Sequence, residues 1–156
     1  MDEILTRFKK YFSIRELVDR DTFNKRGAKS WQHFDPRLIE TMLILREALG
    51  KPINVNNWHR GGSSQQKGLR TNLSQLVQTK TERDILYLSA HRQGMALDFH
   101  VKGMGSEKVR EWIVANKEIF PHKIRLEHKM KGKPISWVHL DVFDYEGNPH
   151  IYLFNV

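Results

Sequence analysis

Alternating apolar and polar positions predict that the second half of the chain forms a small sheet. Residues 96–101 alternate, so Ala96, Asp98 and His100 share one face and the apolar residues between them share the other. Residues 124–130 and 135–143 flank a Lys-Gly-Lys-Pro turn and predict a β-hairpin. Residues 53–58 and 151–154 predict two further strands, with a turn at 146–148 before the second.

Helical spacing predominates in the first half. Asp35 caps and Pro36 opens a helix that ends at Gly50. A short amphipathic helix is predicted over residues 1–12, and a second begins at a capping box formed by Ser13 and Glu16. Residues 20–34 and 59–88 are polar and predict loops, with a helix or turn near 81–88. A helix capped by Ser106 is expected to run to about residue 117.

This order of elements predicts an α+β fold, with a small, mostly antiparallel sheet and helices packed on one face. The length of 156 residues fits a single domain. We expect an N-terminal helical extension over 1–34 and a core over 35–156.

The amino-acid composition limits the kinds of metal ligand and partner that the protein can have. The chain lacks cysteine, so a metal would be held by His and carboxylate groups. The net charge of +8 implies an anionic partner, either nucleic acid or a bacterial cell wall. The N-terminus lacks the features of a signal peptide and the chain has no membrane-spanning apolar run, so we expect synthesis in the cytoplasm.

Three residues suggest a metal site. Asp98 and His139 lie in predicted strands and face the same cleft if those strands are neighbours, and His91 reaches the same point from the turn before the first strand. Gly94 allows the tight turn because it tolerates positive φ. Two imidazoles and a carboxylate suit zinc and leave a position for water. Considered alone, each histidine is more typical of an ordinary buried or surface side chain than of a metal ligand.

The sequence around these residues resembles a known family. Zinc peptidases of the D-alanyl-D-alanine carboxypeptidase and phage endolysin type carry a Ser-x-His-x-x-Gly-x-Ala-x-Asp motif, which is similar to residues 89–98. Their second metal motif is similar to Trp-Val-His-Leu-Asp at 137–141. Residues 56–70 look most like the phage members. The resemblance implies a Hedgehog/DD-peptidase-like fold, a Zn²⁺ site at His91, Asp98 and His139, and hydrolysis of peptide bonds in the peptidoglycan stem peptide.

One departure from the family concerns the general base. Many members place a Glu three residues before the last ligand, where this chain has Ser136. Glu127 and Asp141 are the candidates to replace it, and the hairpin register decides between them. A tight turn places Glu127 on the wrong face, whereas a one-residue shift or a bulge brings it beside His139. We favour Glu127 as base, with Asp141 orienting a ligand.

The resemblance also implies an Arg that binds the substrate carboxylate. Arg70 fits the phage-like pattern and Arg60 is the alternative. The prediction is therefore a monomeric cell-wall hydrolase, a carboxypeptidase or endopeptidase that acts on peptidoglycan after release during phage lysis or as part of a virion. Membrane and nucleic-acid partners are not expected. The alternatives are a Hedgehog-like zinc-binding module without turnover and a basic nucleic-acid-binding domain.

Overall fold

A mixed five-stranded sheet lies at the centre of the fold in the computed structural model, which describes residues 2–144 and 146–156. Neighbouring strands are antiparallel except for the last pair, which is parallel. The strands, in their order across the sheet, are β1 (Ile53–Asn54), β2 (Ala96–Val101), β6 (Val138–Asp141), β3 (Ile124–Glu127) and β7 (Ile151–Phe154). Two short strands, β4 (Lys129–Met130) and β5 (Lys133–Pro134), form a separate ribbon. The α+β class predicted from the sequence is confirmed.

Six α-helices are present among the described residues, together with 3₁₀ turns at 27–33, 58–60, 90–93 and 117–119. None of these helices combines the length and the apolar character that a membrane span requires. The helices are α1 (Asp2–Phe8), α2 (Ile14–Leu17), α3 (Arg20–Arg26), α4 (Pro36–Leu49), α5 (Gln75–Glu82) and α6 (Ser106–Ala115).

The sheet separates an apolar face from a polar one. On the apolar face Leu97 pairs with Leu140 and Phe99 with Val138, and each of these side chains is at most 1% exposed. Leu126 extends the same face from β3. Because side chains alternate along a strand, the residues between these positions point to the opposite face. That face carries the charged and imidazole groups.

Helix α4 forms as its sequence predicts. The Asp35 carboxylate accepts a hydrogen bond from the backbone N–H of Arg37 at 2.9 Å, and Gly50 ends the helix at a φ of 63°. The capping box of α2 is also confirmed, since the Ser13 N–H donates to Glu16 Oε2 at 3.2 Å. Helix α1 ends at Phe8, earlier than predicted, and residue 1 lies outside the described residues. Phe8 and Phe12 stack with ring centroids 4.4 Å apart in the main hydrophobic cluster.

The prediction of a loop over 20–34 is wrong. This segment forms α3 and a 3₁₀ helix. Asp19 is the N-cap, accepting from the N–H of Thr22 at 2.8 Å and from the Ser74 hydroxyl at 2.7 Å. Asp19 is 2% exposed, so these bonds satisfy a buried carboxylate and fix the start of the helix.

Three smaller boundaries also differ from the prediction. The helix expected near 81–88 lies at Gln75–Glu82, and residues 83–88 are irregular. Strand β1 has two residues rather than six. Gly105, not Ser106, is the N-cap of α6. The Ser106 hydroxyl instead donates to the carbonyl of Ser136 at 2.7 Å, a tertiary contact that replaces the local one.

The predicted hairpin contains a bulge at 136–139: these four residues lie opposite Glu127 alone, between the pair of Ile135 with His128 and the pair of Leu140 with Leu126. In the ribbon Lys129 pairs with Pro134, whereas in the sheet Leu126 pairs with Leu140. The second strand therefore carries three residues that lack counterparts in the first. Side chains alternate along a strand, so an odd number of extra residues moves each β3 side chain to the face opposite the one it would occupy if the ribbon register continued. Glu127 consequently lies on the polar face, in line with His139.

The turn at Gly94 provides a test of the fold. Gly94 has a φ of +67°, and an added Cβ would lie 1.8 Å from the carbonyl oxygen of His33. We expect Gly94→Ala to lower the free energy of unfolding by more than the roughly 1–2 kcal/mol of the left-handed conformation alone. Gly50→Ala is the matched control, because Gly50 has a similar φ of +63° but open space around it. Equal losses for the two variants in urea denaturation would contradict the close approach.

Candidate metal site

Three elements bring His91, Asp98 and His139 together, and we call this group the candidate metal site. Asp98 in β2 and His139 in β6 are direct partners across two central strands. His91 comes from the 3₁₀ turn before β2. The Nδ1 atom of His139 lies 2.8 Å from Asp98 Oδ1, and the Nε2 atom of His91 lies 3.3 Å from both. The residues are 2%, 8% and 6% exposed, in sequence order.

Each imidazole is oriented by a hydrogen bond from its other nitrogen. His91 Nδ1 donates to the carbonyl oxygen of Gly68 at 2.9 Å, which leaves Nε2 directed at the group. His139 Nε2 donates to Asp141 Oδ2 at 2.8 Å, which leaves Nδ1 directed inward. Arg125 in turn donates to both oxygens of Asp141, at 2.7 and 3.0 Å. This arrangement of outer partners is typical of histidines that bind metals.

The geometry fits a small divalent cation. Tetrahedral coordination with bonds of about 2.0–2.1 Å places neighbouring ligand atoms roughly 3.3 Å apart. Two of the three separations have that length, and the third is shorter because it is a hydrogen bond between Asp98 and His139. The group is also the one set of three His, Cys, Asp or Glu residues within the described ranges whose ligand atoms converge in this way. It could bind a metal ion.

The ionisation of the three residues follows from their neighbours. Burial lowers the pKa of His91 below its usual range, so this ring is neutral at pH 7. Burial would raise the pKa of Asp98, but His91 and His139 hold it below its usual range. Burial also opposes the charge on His139, yet the hydrogen bonds that its N–H groups donate to Asp141 and Asp98 raise its pKa to about 10. In the absence of metal, His139 is therefore an imidazolium whose two N–H groups donate to Asp98 and Asp141.

Glu127 and Asp141, the two candidate bases, occupy different environments. The Oε1 atom of Glu127 is 3.9 Å from His139 Nδ1, and the side chain is 21% exposed. Burial raises the pKa of Glu127 above its usual range. Asp141 is fully buried, and both of its oxygens accept hydrogen bonds, including one from the N–H of Phe143 at 3.0 Å. Burial would raise the pKa of Asp141, but the bonds from His139 and Arg125 lower it.

Of the two candidate arginines, the structure brings Arg70 to the site. Its Nη2 atom donates to Asp98 Oδ2 at 3.3 Å, and Nε donates to the Gln66 carbonyl at 2.7 Å. Its Nη1 atom donates to the hydroxyl of Tyr87. Arg60 lies on an exposed 3₁₀ turn, where its charge acts on Glu16 and His59.

Four residues around the site were not identified from the sequence. The Gly68 carbonyl orients His91 directly, and Arg125 orients His139 through Asp141. Phe154 of β7 packs edge-on against His139, with ring centroids 6.3 Å apart, and Tyr87 contacts Arg70. Arg125 had a detectable signal, since it alternates with Glu127 on one strand face. The other three depend on contacts between distant segments and had no local signal.

Comparison of the chain with protein-family models, with curated proteins and with solved structures gave no match.

Metal binding should release a proton. Because His91 is neutral and Asp98 is ionised, only His139 must lose a proton to become a ligand, and its pKa of about 10 keeps it protonated at pH 7.5. Titration calorimetry with Zn²⁺ in buffers of different ionisation enthalpy should give about one proton released per ion. Affinity should rise with pH until His139 deprotonates. Release of no proton would contradict this ionisation state.

Asp141 should affect metal affinity without being a ligand. We expect Asp141→Asn to weaken zinc binding by about 10–100-fold, because the His139 N–H then donates to a neutral amide oxygen instead of a carboxylate. Asp35→Asn is the control, since Asp35 is also a hydrogen-bonded Asp paired with an Arg but caps α4. Competition against a chromophoric chelator measures both constants, and equal affinities for the two variants would exclude the orienting role.

Proposed function

We propose that this protein is a zinc-dependent metallopeptidase that hydrolyses peptide bonds in the peptidoglycan stem peptide, on a Hedgehog/DD-peptidase-like fold. The observation that carries the proposal is the convergence of His91, Asp98 and His139 beside a half-buried carboxylate, Glu127. A metal held by two imidazoles and one carboxylate keeps room for water and substrate. The resemblance of residues 89–98 and 137–141 to the motifs of these peptidases supports the same assignment.

In this proposal His91 Nε2, Asp98 Oδ1 and His139 Nδ1 would hold the zinc. When bound, zinc would activate water and polarise the scissile carbonyl. Glu127 serves as general base, because it lies beside the ligands, remains accessible and has a raised pKa that suits proton transfer near neutral pH. After accepting a proton, its carboxyl group donates one to the leaving amine. Asp141 is fully engaged with His139, Arg125 and Phe143, which suits orientation rather than proton transfer.

Arg70 and Tyr87 lie on the flank of the site next to Asp98, where Arg70 donates to Asp98 and to the Tyr87 hydroxyl. A guanidinium has five N–H donors, and three of those of Arg70 bind Gln66, Tyr87 and Asp98. The remaining donors are available to a carboxylate of the stem peptide. The Tyr87 oxygen accepts from Arg70, so its own proton is available to a substrate oxygen. This flank makes Arg70 a better candidate than Arg60 for substrate recognition.

The net charge is consistent with a polyanionic wall as the partner. At +8, the protein would be attracted to peptidoglycan and its attached anionic polymers. We propose that it reaches the wall after release from the cell or on a virion, in the manner of phage endolysins. This charge equally suits nucleic acid, so the choice of the wall rests on the resemblance to the peptidase motifs and on the carboxylate of Glu127 beside the candidate metal site.

The second candidate is a Hedgehog-like zinc-binding module without turnover. The observation in its favour is Ser136, which stands where many zinc peptidases of this type have their catalytic Glu. The position of Glu127 on the polar face offers another carboxylate for that task, and this favours the peptidase.

Hydrolysis can be tested on purified peptidoglycan of several wall chemistries. The wild-type protein loaded with zinc should release muropeptides, and mass spectrometry of the products should identify the bond that is cut and whether cleavage is exo or endo. Absence of cleavage by the zinc-loaded protein in every wall type would contradict the peptidase and favour the binding module.

Replacement of the base should separate catalysis from metal binding. Glu127→Gln is expected to lower kcat by about 10²–10⁴-fold while zinc remains bound, because the amide cannot accept the proton. Glu40→Gln is the matched control, since Glu40 also pairs with a histidine, His122 at 2.6 Å, on the helical side of the molecule. An unchanged rate for Glu127→Gln would transfer the role to another group.

A further inference from the structure

We infer that Arg110 of α6 is a positioning residue for Glu127: it holds the bulge whose odd number of extra residues places this carboxylate beside the metal ligands. The inference rests on the proposed function for its catalytic consequence, but its structural part, the link between Arg110 and strand register, is independent of any activity.

The register of the hairpin has two competing solutions. If the pairing of Lys129 with Pro134 continued without interruption, Glu127 would face Ser136 and share the face of Val138 and Leu140. That face is packed against the hydrophobic core, so the carboxylate would be buried without partners. The observed register, with Leu126 opposite Leu140, places Glu127 next to His139 instead.

Helix α6 binds three consecutive carbonyl groups where the bulge begins. Arg110 Nη2 donates to the Ile135 carbonyl at 2.8 Å, and Nη1 donates to the Trp137 carbonyl at 2.9 Å. The Ser106 hydroxyl donates to the carbonyl between them, at Ser136. A bulge removes backbone groups from the sheet ladder, and these side chains provide the partners that the ladder does not.

The same helix also binds the first strand of the hairpin. Glu107 accepts from Arg110 at 2.9 Å and lies 3.1 Å from the ring nitrogen Nε2 of His128, the neighbour of Glu127. Arg110 and Glu107 therefore connect the bulge to the end of β3. A shift of either strand by one residue would break contacts on both sides of this connection.

The burial of Arg110 is difficult to explain by stability alone. Its side chain is 2% exposed, and the guanidinium pairs with a single carboxylate that is itself 43% exposed. A buried cation is costly to desolvate, and apolar replacements of such groups are often tolerated or even stabilising. A role in specifying register accounts for the presence of a charge where an apolar side chain would pack.

The experiment combines a structural and a kinetic readout in the zinc-loaded full chain. The variants are Arg110→Met, which fills the volume without donors, and Arg110→Lys, which retains a cationic donor. Arg37→Met is the matched control, since Arg37 forms a comparable ion pair with Asp35 at the start of α4. NMR of labelled protein follows cross-strand NOEs between residues 127 and 139 and between residues 98 and 139.

Arg110→Met should weaken the NOE between residues 127 and 139 and leave the NOE between 98 and 139 and the zinc stoichiometry unchanged. Its kcat should fall by about 100-fold, the scale of a 1 Å misplacement of a catalytic group. In a Glu127→Asp background the same substitution should have little further effect, because both changes act on one step. Arg110→Lys should restore part of the rate, and Arg37→Met should change neither NOEs nor kcat.

Several outcomes would overturn the inference. An unchanged NOE between residues 127 and 139 in Arg110→Met would refute the register role. If the Met variant does not fold, an unchanged NOE in Arg110→Gln, which lacks the charge and the second donor group, would refute it. Additive losses with Glu127→Asp would show that Arg110 acts on stability in general. If the wild-type protein cleaves no peptidoglycan, the proposed function fails while the NOE comparison still decides the structural part.

Discussion

The hydrogen bond between Asp98 and His139 across the central strands is the contact on which the surrounding polar structure depends. A carboxylate and an imidazole buried at this depth need partners, and each supplies one to the other. The other oxygen of Asp98 accepts a hydrogen bond from Arg70, and the other ring nitrogen of His139 donates one to Asp141. Arg125 then neutralises Asp141. The site is thus a continuous network that starts at one strand pair.

This network lies on one face of a sheet whose other face is entirely apolar. The separation is possible because β2 and β6 are paired so that Leu97 meets Leu140 and Phe99 meets Val138 on the core face, while Asp98 meets His139 on the other. A shift of one residue would place Asp98 and His139 in the hydrophobic core, at a cost of several kcal/mol per unpaired group. The core therefore fixes the site: packing of Leu97, Phe99 and Leu140 decides which residues face the cleft.

Local signals in the sequence were sufficient for the central elements. The cap residues of α4 and the alternation of β2 and β6 are encoded within a few residues of each element, so the helix and the strand faces of Asp98 and His139 could be predicted. Their convergence also required that the two strands be neighbours, which the resemblance to the peptidase motifs implied and local alternation did not. Helix α3 had a local signal too, since Asp19 caps it through the N–H of Thr22, but the polar composition of residues 20–34 favoured a loop. The contact of Asp19 with Ser74, 55 residues away, has no local signal. The face of Glu127 could not be decided either, because the bulge that sets it is held by side chains of another helix.

The central claim is that His91, Asp98 and His139 bind one metal ion, and anomalous diffraction tests it most directly. Crystals grown with zinc and measured on both sides of the zinc absorption edge should show one strong peak at about 2.0–2.2 Å from His91 Nε2, Asp98 Oδ1 and His139 Nδ1. Glu127 should lie beside the ion without coordinating it. A site without anomalous density in fully zinc-loaded protein, or a peak held by other side chains, would contradict the account.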